Sequence, residues 1–296
     1  MADIAGGPFR ANFGSYWAGS RGSHTLGSLT SLNAERAVTG RFIAKAIAIC
    51  CAVLTSLSIS AVRAADVKIL CASGMREVVS ELKPQIERAT GQRVDVSFGE
   101  AGDLRKRIKG SEPVDVVVLP RVVLDQLLSD GKIVDGSTIN LAQSSMGIGV
   151  RADAPKPDIG STDGLKRFLL AAKSIAVTDP ASGGVAGVYI ANVFQRLGIA
   201  EELQPKLKLT RGQRNAEFVA KGEVEVAIQL SNEIRIVPGI EFIPLPREVA
   251  RTFVFSAALA SDSKEIESAR TVLQFLSGSE AVTVIRGKGM DEAAPK

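Results

Sequence analysis

Ser182, Gly183 and Gly184 stand between a short apolar run, Ile175–Val177, and an apolar-striped segment ending at Leu197. The stretch from Ser174 reads S-I-A-V-T-D-P-A-S-G-G-V-A-G-V-Y-I-A-N-V-F-Q-R-L, which predicts a buried strand, a Gly-rich turn over Thr178–Gly187 and a helix. The first N–H groups of such a helix lack intrahelical partners and point beyond the turn. The helix dipole adds roughly half a positive charge there. The chemistry on offer is anion binding by backbone dipoles. The same residues also suit a tight strand-to-helix turn whose glycines serve only the backbone.

Other chemistries are excluded by what the chain lacks. Met1–Thr39 is rich in Gly and Ser without a sustained period, and Arg36, Arg41 and Lys45 then precede the apolar run Ala46–Ile59. With Val62 and Ala64 as small residues at −3 and −1, this predicts an export signal cut near Ala64. The run is too short for a comfortable membrane span. An uncleaved anchor is the alternative, and Cys50 and Cys51, inside the apolar run, do not suit a lipoprotein. The leader holds Arg10, Arg21, Arg36, Arg41, Lys45 and Arg63 against Asp3 and Glu35. The chain has 36 basic and 32 acidic side chains, so 30 of each remain beyond it. A balanced exported chain offers no electrostatic case for nucleic acid.

The only histidine, His24, and the only tryptophan, Trp17, lie in the leader, and Cys71 is the single cysteine beyond it. Ser-His-Asp and Cys-His catalysis, and His-ligated zinc, are therefore not expected. Cys71, in I-L-C-A, reads as a small core residue. Ser73 has no histidine base, no cofactor is called for, and no enzymatic activity is expected.

The elements that must position these groups alternate. Val67–Ala72 is a strand ending at Ser73-Gly74, and Arg76–Thr90 is a helix interrupted only by Pro84 and closed by Gly91. Val94–Phe98 is a strand, Gly99–Gly102 a turn, Leu104–Ile108 a short helix, Val114–Leu119 a strand and Arg121–Ser129 a helix. Met146–Val150 is a strand following the polar Asn140–Ser145. Further on come the helices Asp163–Ala172 and Asn215–Lys221, the strands Leu207–Leu209, Val224–Gln229, Ile240–Leu245 and Phe253–Ala260, and the helices Lys264–Leu276 and Glu280–Arg286. The polar tail from Asp291 is expected to be loose. Such alternation implies a parallel sheet, with ligands collecting beyond the strands' carboxyl ends. Ser73-Gly74, Glu100–Asp103 and Leu230-Ser231-Asn232 all fall at such ends.

The secreted length, Ser73 after the first strand, D-V-V-V-L-P at the third, D-P-A-S-G-G-V-A-G-V-Y-I-A, L-G-I-A-E-E-L-Q-P-K-L and V-A-K-G-E-V-E-V-A-I-Q together resemble the molybdate-binding components of ABC transporters. The resemblance implies a two-lobed α/β type II periplasmic binding protein fold, each lobe a mainly parallel sheet flanked by helices and hinged around a cleft. It implies residues 65–145 as the first part of lobe 1, 146–240 as lobe 2 and 241–296 as the return to lobe 1, after an extension and signal over 1–64.

In that family a tetrahedral oxyanion is held by hydroxyls and backbone N–H groups. Carried over by position, the first serine is Ser73, followed by Gly74. The second serine falls at Ala101, beside Gly102. The central turn supplies Ser182, Gly183 and Ala186, the later turn Gly212, and the family's tyrosine falls at Leu230, beside Ser231. Two of three side-chain hydroxyls are thus replaced, each loss worth roughly 1.5–3 kcal/mol to a charged oxygen. Glu100 and Asp103 add negative charge, while Arg211, Gln213, Arg214 and Gln229 are nearby polar candidates, an arginine there suiting a carboxylate or phosphate. Solvated turn residues are the plainer reading of Arg211 and Arg214. Arg105–Lys109 reads as an exposed helix face and Tyr189 as core.

The resemblance implies a periplasmic monomer that captures a small anion, molybdate or tungstate above others, and delivers it to an ABC permease, its only route to the membrane. The alternative is a sensory or accessory binding module of the same fold for another small anion or carboxylate.

Overall fold

Val67 and the run Ile69–Ala72 are buried in the first strand, β1 (Asp66–Ala72). A computed structural model describes residues 66–294, and the leader expected over residues 1–64 lies outside them. Ser73–Met75 makes one tight 3-10 turn and leads into α1 (Arg76–Thr90). Val78, Val79, Leu82 and Ile86 form the buried face of α1, each worth roughly 1.5–3 kcal/mol on burial. Pro84 does not end the helix, because the carbonyl it leaves unpaired belongs to the exposed Ser80 and faces water. Gly91 closes the helix at φ +70°, its N–H donating to the Glu87 carbonyl.

The chain continues through β2 (Arg93–Gly99), α2 (Ala101–Lys109), β3 (Val116–Pro120), α3 (Arg121–Ser129) and β4 (Ile139–Arg151). Next come α4 (Thr162–Ala171), β5 (Ile175–Thr178), α5 (Val185–Arg196), α6 (Ala200–Leu203), β6 (Leu207–Thr210) and α7 (Asn215–Ala220). It ends with β7 (Val226–Leu230), α8 (Ser231–Arg235), β8 (Ile240–Pro244), β9 (Thr252–Leu259), α9 (Ile266–Leu276), α10 (Ser279–Gly287) and β10 (Asp291–Glu292).

The sheet is mixed rather than simply parallel. Its order is β2-β1-β3-β9-β4-β7-β5-β6, with β8 and β10 also pairing with β4. β1 pairs in parallel with β2 and β3, and β5 with β6 and β7. Every pairing of β4 and β9 is antiparallel. Helical crossovers join the parallel neighbours, whereas the chain enters and leaves β4 and β9 in the opposite sense.

β4 joins the two halves of the sheet. Its residues Ile139–Ser145 pair with β9, and Met146–Arg151 pair with β7 and β8. The polar run Asn140–Ser145, expected to precede the strand, is instead its first half. Its polar side chains are satisfied from other elements: Ser144 Oγ lies 2.9 Å from Ser231 Oγ and donates to Asn232 Oδ1 at 2.7 Å. The segment Ser231–Asn232 likewise forms the start of α8 rather than a loop.

Two further boundaries differ. The turn expected over Gly99–Gly102 ends early, because α2 already begins at Ala101, whose methyl is buried. The tail from Asp291 is held: β10 pairs with Gln143 and Ala142 of β4, and Ala293 is buried. Cys71 is fully buried and its thiol pKa is pushed far up by desolvation. Tyr189 packs edge-on against Phe253 and donates its hydroxyl to the Val249 carbonyl.

Ser144→Ala should leave Asn232 Oδ1 without its hydroxyl donor inside the protein. Urea unfolding should show a loss of about 1–3 kcal/mol, with little change in the slope against denaturant.

Candidate functional site

β1, β6 and β7 deliver their carboxyl ends to one place, where a cavity of about 340 Å³ is lined by Ser73, Gly74, Arg76, Gly212, Arg214 and Glu233, among others. Ser73 sits at the end of β1, and its Oγ is buried without a hydrogen-bond partner. Gly212 faces it from the turn after β6, held at φ +65°; a Cβ there would lie 3.9 Å from Ser73 Oγ. Gly74 lies on Leu230 and Phe255, and its carbonyl accepts from Asn232 Nδ2 at 2.9 Å. Asn232, bound also to Ser144, therefore ties the start of α1 to the crossing strand.

The Gly-rich turn before α5 approaches from the other side. Asp179 Oδ1 accepts the Ala181 N–H at 2.9 Å, and Ser182 Oγ donates to the Asp179 carbonyl at 2.6 Å. The N–H groups of Ser182, Gly183 and Gly184 are also taken within the turn. The donors it can offer thus begin with the first turn of α5, Val185–Gly187. Gly183, at φ +70°, touches Gly102 so closely that a Cβ on Gly102 would lie 2.6 Å from the Gly183 Cα. The Gly102 N–H donates to the Gly183 carbonyl at 3.1 Å. Only glycine permits this approach at either position.

Glu100 fills the space these loops enclose. Its Oε1 accepts the Gly212 N–H at 3.1 Å, and its Oε2 lies where a side chain on Gly184 would begin. The carboxylate thus rests between the later turn and the N-terminal end of α5, beside Ser73. Burial raises its pKa, opposed by the Gly212 N–H and by the Ser73 hydroxyl, which lies close to the carboxylate although outside good hydrogen-bond geometry; Asp103 raises it further and Arg76 lowers it.

Glu233, on α8, is the second carboxyl. Its side chain is half-buried and lines the cavity. Desolvation, reinforced by the charge of Glu100, pushes its pKa up to about 8, against the Leu230 N–H, Arg214 and Arg76. This shift favours the protonated form of Glu233 near neutral pH.

The cationic lining is uneven. Arg214 pairs with Glu77 and, at 2.8 Å, with Glu217. Arg76 stacks over the Phe98 ring at 4.4 Å and, like the exposed Lys221, makes no ion pair among the described residues. Arg211 points elsewhere and pairs with Asp179 at 2.8 Å. Gln229 supports the turn, its Oε1 accepting the Asn215 N–H and its Nε2 donating to the Gln213 carbonyl.

Of the positions singled out from sequence, the cavity brings together Ser73, Gly74, Gly212, Gln213 and Arg214, the last half-buried and ion-paired rather than a solvated turn residue, and Gly102 meets Gly183 at the contact just described. Ala101, Ala186 and Leu230 have buried side chains, and those of Ser182 and Ser231 are buried and hydrogen-bonded within the protein. Arg76 and Glu233 were not singled out. Arg76 lies three residues after Ser73, one helical turn away, which is a usable signal. Glu233 carries none, because its side of α8 emerges only from the packing of α8 against β4 and β7. No group of His, Cys, Asp and Glu among the described residues is arranged to hold a metal ion.

The family described as bacterial extracellular solute-binding protein matches residues 67–291. The chain belongs to that family. Aconitate isomerase from a Pseudomonas species is 32% identical over 229 residues, 75% of this chain and 86% of that one. Molybdate-binding protein ModA of Rhodobacter capsulatus is 26% identical over 228 residues, 76% of this chain and 88% of that one. The solved periplasmic molybdate-binding protein of Azotobacter vinelandii superposes with a TM-score of 0.63 at 19% identity, covering 77% of this chain and all of that one. The fold is that of the type II periplasmic binding proteins, as the sequence implied. Of these three relatives, two are named as molybdate-binding proteins and one as an isomerase. No helix among the described residues is long and apolar enough to cross a membrane.

The raised pKa of Glu233 makes stability depend on pH in a definite sense. The folded chain holds a proton that the unfolded chain releases near the ordinary value of 4.5, so stability falls as pH rises from there to about 8 and then levels. Melting curves across that window should show wild type losing stability relative to Glu233→Gln, by on the order of a few kcal/mol. Parallel curves for the two would contradict the assignment.

Proposed function

We propose that this family member binds a small unsaturated polycarboxylate in the cavity between Ser73, Arg76 and Arg214, and isomerises it by moving one proton along an allylic system. The observation that carries this reading is the pair of half-buried carboxyls, Glu100 and Glu233, near enough to raise the Glu233 pKa, with Arg76 close to both and Arg214 close to Glu233. A site built only to hold an anion gains nothing from two such carboxyls, which repel the guest unless they hold protons. A proton shift needs one group that accepts and one that donates, poised near the working pH. The 32% identity to an aconitate isomerase over most of both chains supports the same reading.

In this scheme the guanidinium of Arg76 and that of Arg214 receive substrate carboxylates, a pairing for which planar bidentate donors are suited. Glu100, fixed by the Gly212 N–H, takes a proton from the methylene carbon. The electron pair moves into a new double bond as the old one shifts toward the far carbon. The charge that develops spreads into the adjoining carboxylate beside Arg76. Glu233 donates its proton to the far carbon, leaving Glu100 protonated and Glu233 ionised. The reverse reaction starts from that state, and exchange with water restores the first. No redox step and no metal is required. The exported chain would act in the periplasm, as a monomer, with lobes of about residues 65–145 plus 241–296 and 146–240 closing over the guest by hinge motion.

A second reading is capture of a small oxyanion such as molybdate and its delivery to an ABC permease. Molybdate-binding relatives at similar coverage favour it. A sensory module of the same fold would bind likewise without a permease.

Proton NMR of the chain from Ala65 with cis- or trans-aconitate in deuterium oxide should show interconversion with deuterium entering the product. Glu233→Gln should lower kcat by roughly 10²–10⁴-fold with a smaller change in KM. Absence of interconversion, with stabilisation by molybdate, would favour the second reading.

A further inference from the structure

We infer that Glu100 is a built-in occupant of the family's anion nest, and that this occupancy makes the chain reject inorganic oxyanions in favour of carboxylate ligands bound next to it. The inference concerns the specificity of the site proposed above and shares its cavity, but it does not depend on turnover.

The geometry is that of an anion already bound. The Gly212 N–H, one of the backbone donors that a free oxyanion would use, is taken by Glu100 Oε1 at 3.1 Å. The other carboxylate oxygen lies against Gly184, at the N-terminal end of α5. A larger residue at 184 would collide with it, so the turn has room for the carboxylate and little else on that side. The buried Ser73 hydroxyl, close to Gly212, also acts on the Glu100 carboxylate and lowers its pKa. Gly102 and Gly183, in contact, leave no gap there through which a second anion would sit beside the first.

The charges around Glu100 are mixed. Asp103, on the first turn of α2, disfavours a second negative charge there and Arg76 from α1 opposes it, while Glu233 on α8, itself shifted toward its protonated form, adds little charge. A tetrahedral dianion entering the nest would have to expel Glu100 into this surrounding or carry a proton in with it. A carboxylate ligand avoids the conflict by using the remaining cavity, toward Arg76, Arg214 and Lys221. An anion nest that tolerates a tethered carboxylate is physically the same nest: fixed N–H dipoles do not distinguish a side chain from a solute. The tether supplies a high local concentration that a free anion must outcompete.

The test separates occupancy from charge. Wild type, Glu100→Ala, Glu100→Gln and Asp103→Asn are titrated calorimetrically with sodium molybdate and sodium sulfate at neutral pH, and each is checked for folding by circular dichroism and melting temperature. Glu100→Ala, which empties the nest, should bind molybdate or sulfate about 100-fold more tightly than wild type. Glu100→Gln keeps the bulk and an acceptor for Gly212, so it should stay within about tenfold of wild type. Asp103→Asn removes a neighbouring charge without opening the nest and should do the same. Wild type binding molybdate as tightly as Glu100→Ala, or a folded Glu100→Ala that binds neither anion, would overturn the inference. So would equal gains in Glu100→Gln and Asp103→Asn, which would mark simple repulsion. Aconitate turnover by wild type, followed in parallel, keeps the two claims apart. Turnover with no gain in Glu100→Ala defeats only the occupancy of the nest. A gain without turnover defeats only the isomerase reading.

Discussion

The hydrogen bond from the Gly212 N–H to Glu100 spans the cleft and joins the end of β2 to the turn after β6. Around it the remaining features fall into place. The Gly102–Gly183 contact brings α2 and the α5 turn close enough to enclose the carboxylate. Enclosure strips it of water, which raises its pKa and, through its charge, that of Glu233. Arg76, without an ion pair among the described residues, and Arg214, paired with Glu77 and Glu217, both line the cavity. An acid at position 100, bound to the Gly212 N–H, thus bears both on what the cavity can hold and on what its carboxyls can do.

That bond is useful only because the backbone on either side is fixed. β4 runs through both halves of the sheet, and its Ser144 hydroxyl holds Ser231 and Asn232 at the crossing point. Asn232 in turn holds the Gly74 carbonyl and so the turn that carries Ser73. Gln229 and Asn215 support the Gln213–Arg214 turn from below. The polar groups buried here are matched to one another, which a buried network must be if it is to rigidify rather than destabilise. The crossing strand β4 and the turn that carries Ser73 are therefore one hydrogen-bonded unit.

Much of the fold was legible in the residues. The apolar runs of β1, β3 and β7, the striped face of α1 and its Gly91 stop follow from period and from backbone conformation alone. The first half of β4 was not legible, because Asn140, Gln143, Ser144 and Ser145 read as solvated, and their partners lie far away in sequence. β10 was missed for a similar reason: two acidic residues form a strand only because β4 offers an edge. In the site, Ser73, Gly74 and Gly212 were legible from position, and the negative charge of Glu100 was legible as an anomaly. Its hydrogen bond across the cleft was not, since it joins residues separated by |i−j|=112. Glu233 depended wholly on packing, as its partial burial is made by neighbours from other elements.

The account rests on where Glu100 lies when a ligand is bound. A crystal structure of the chain from Ala65 with tricarballylate, the saturated analogue of aconitate, tests this most directly. The account predicts ligand carboxylates on Arg76 and Arg214, with Glu100 still accepting the Gly212 N–H. A ligand oxygen on Gly212, with Glu100 turned out of the nest, would contradict it.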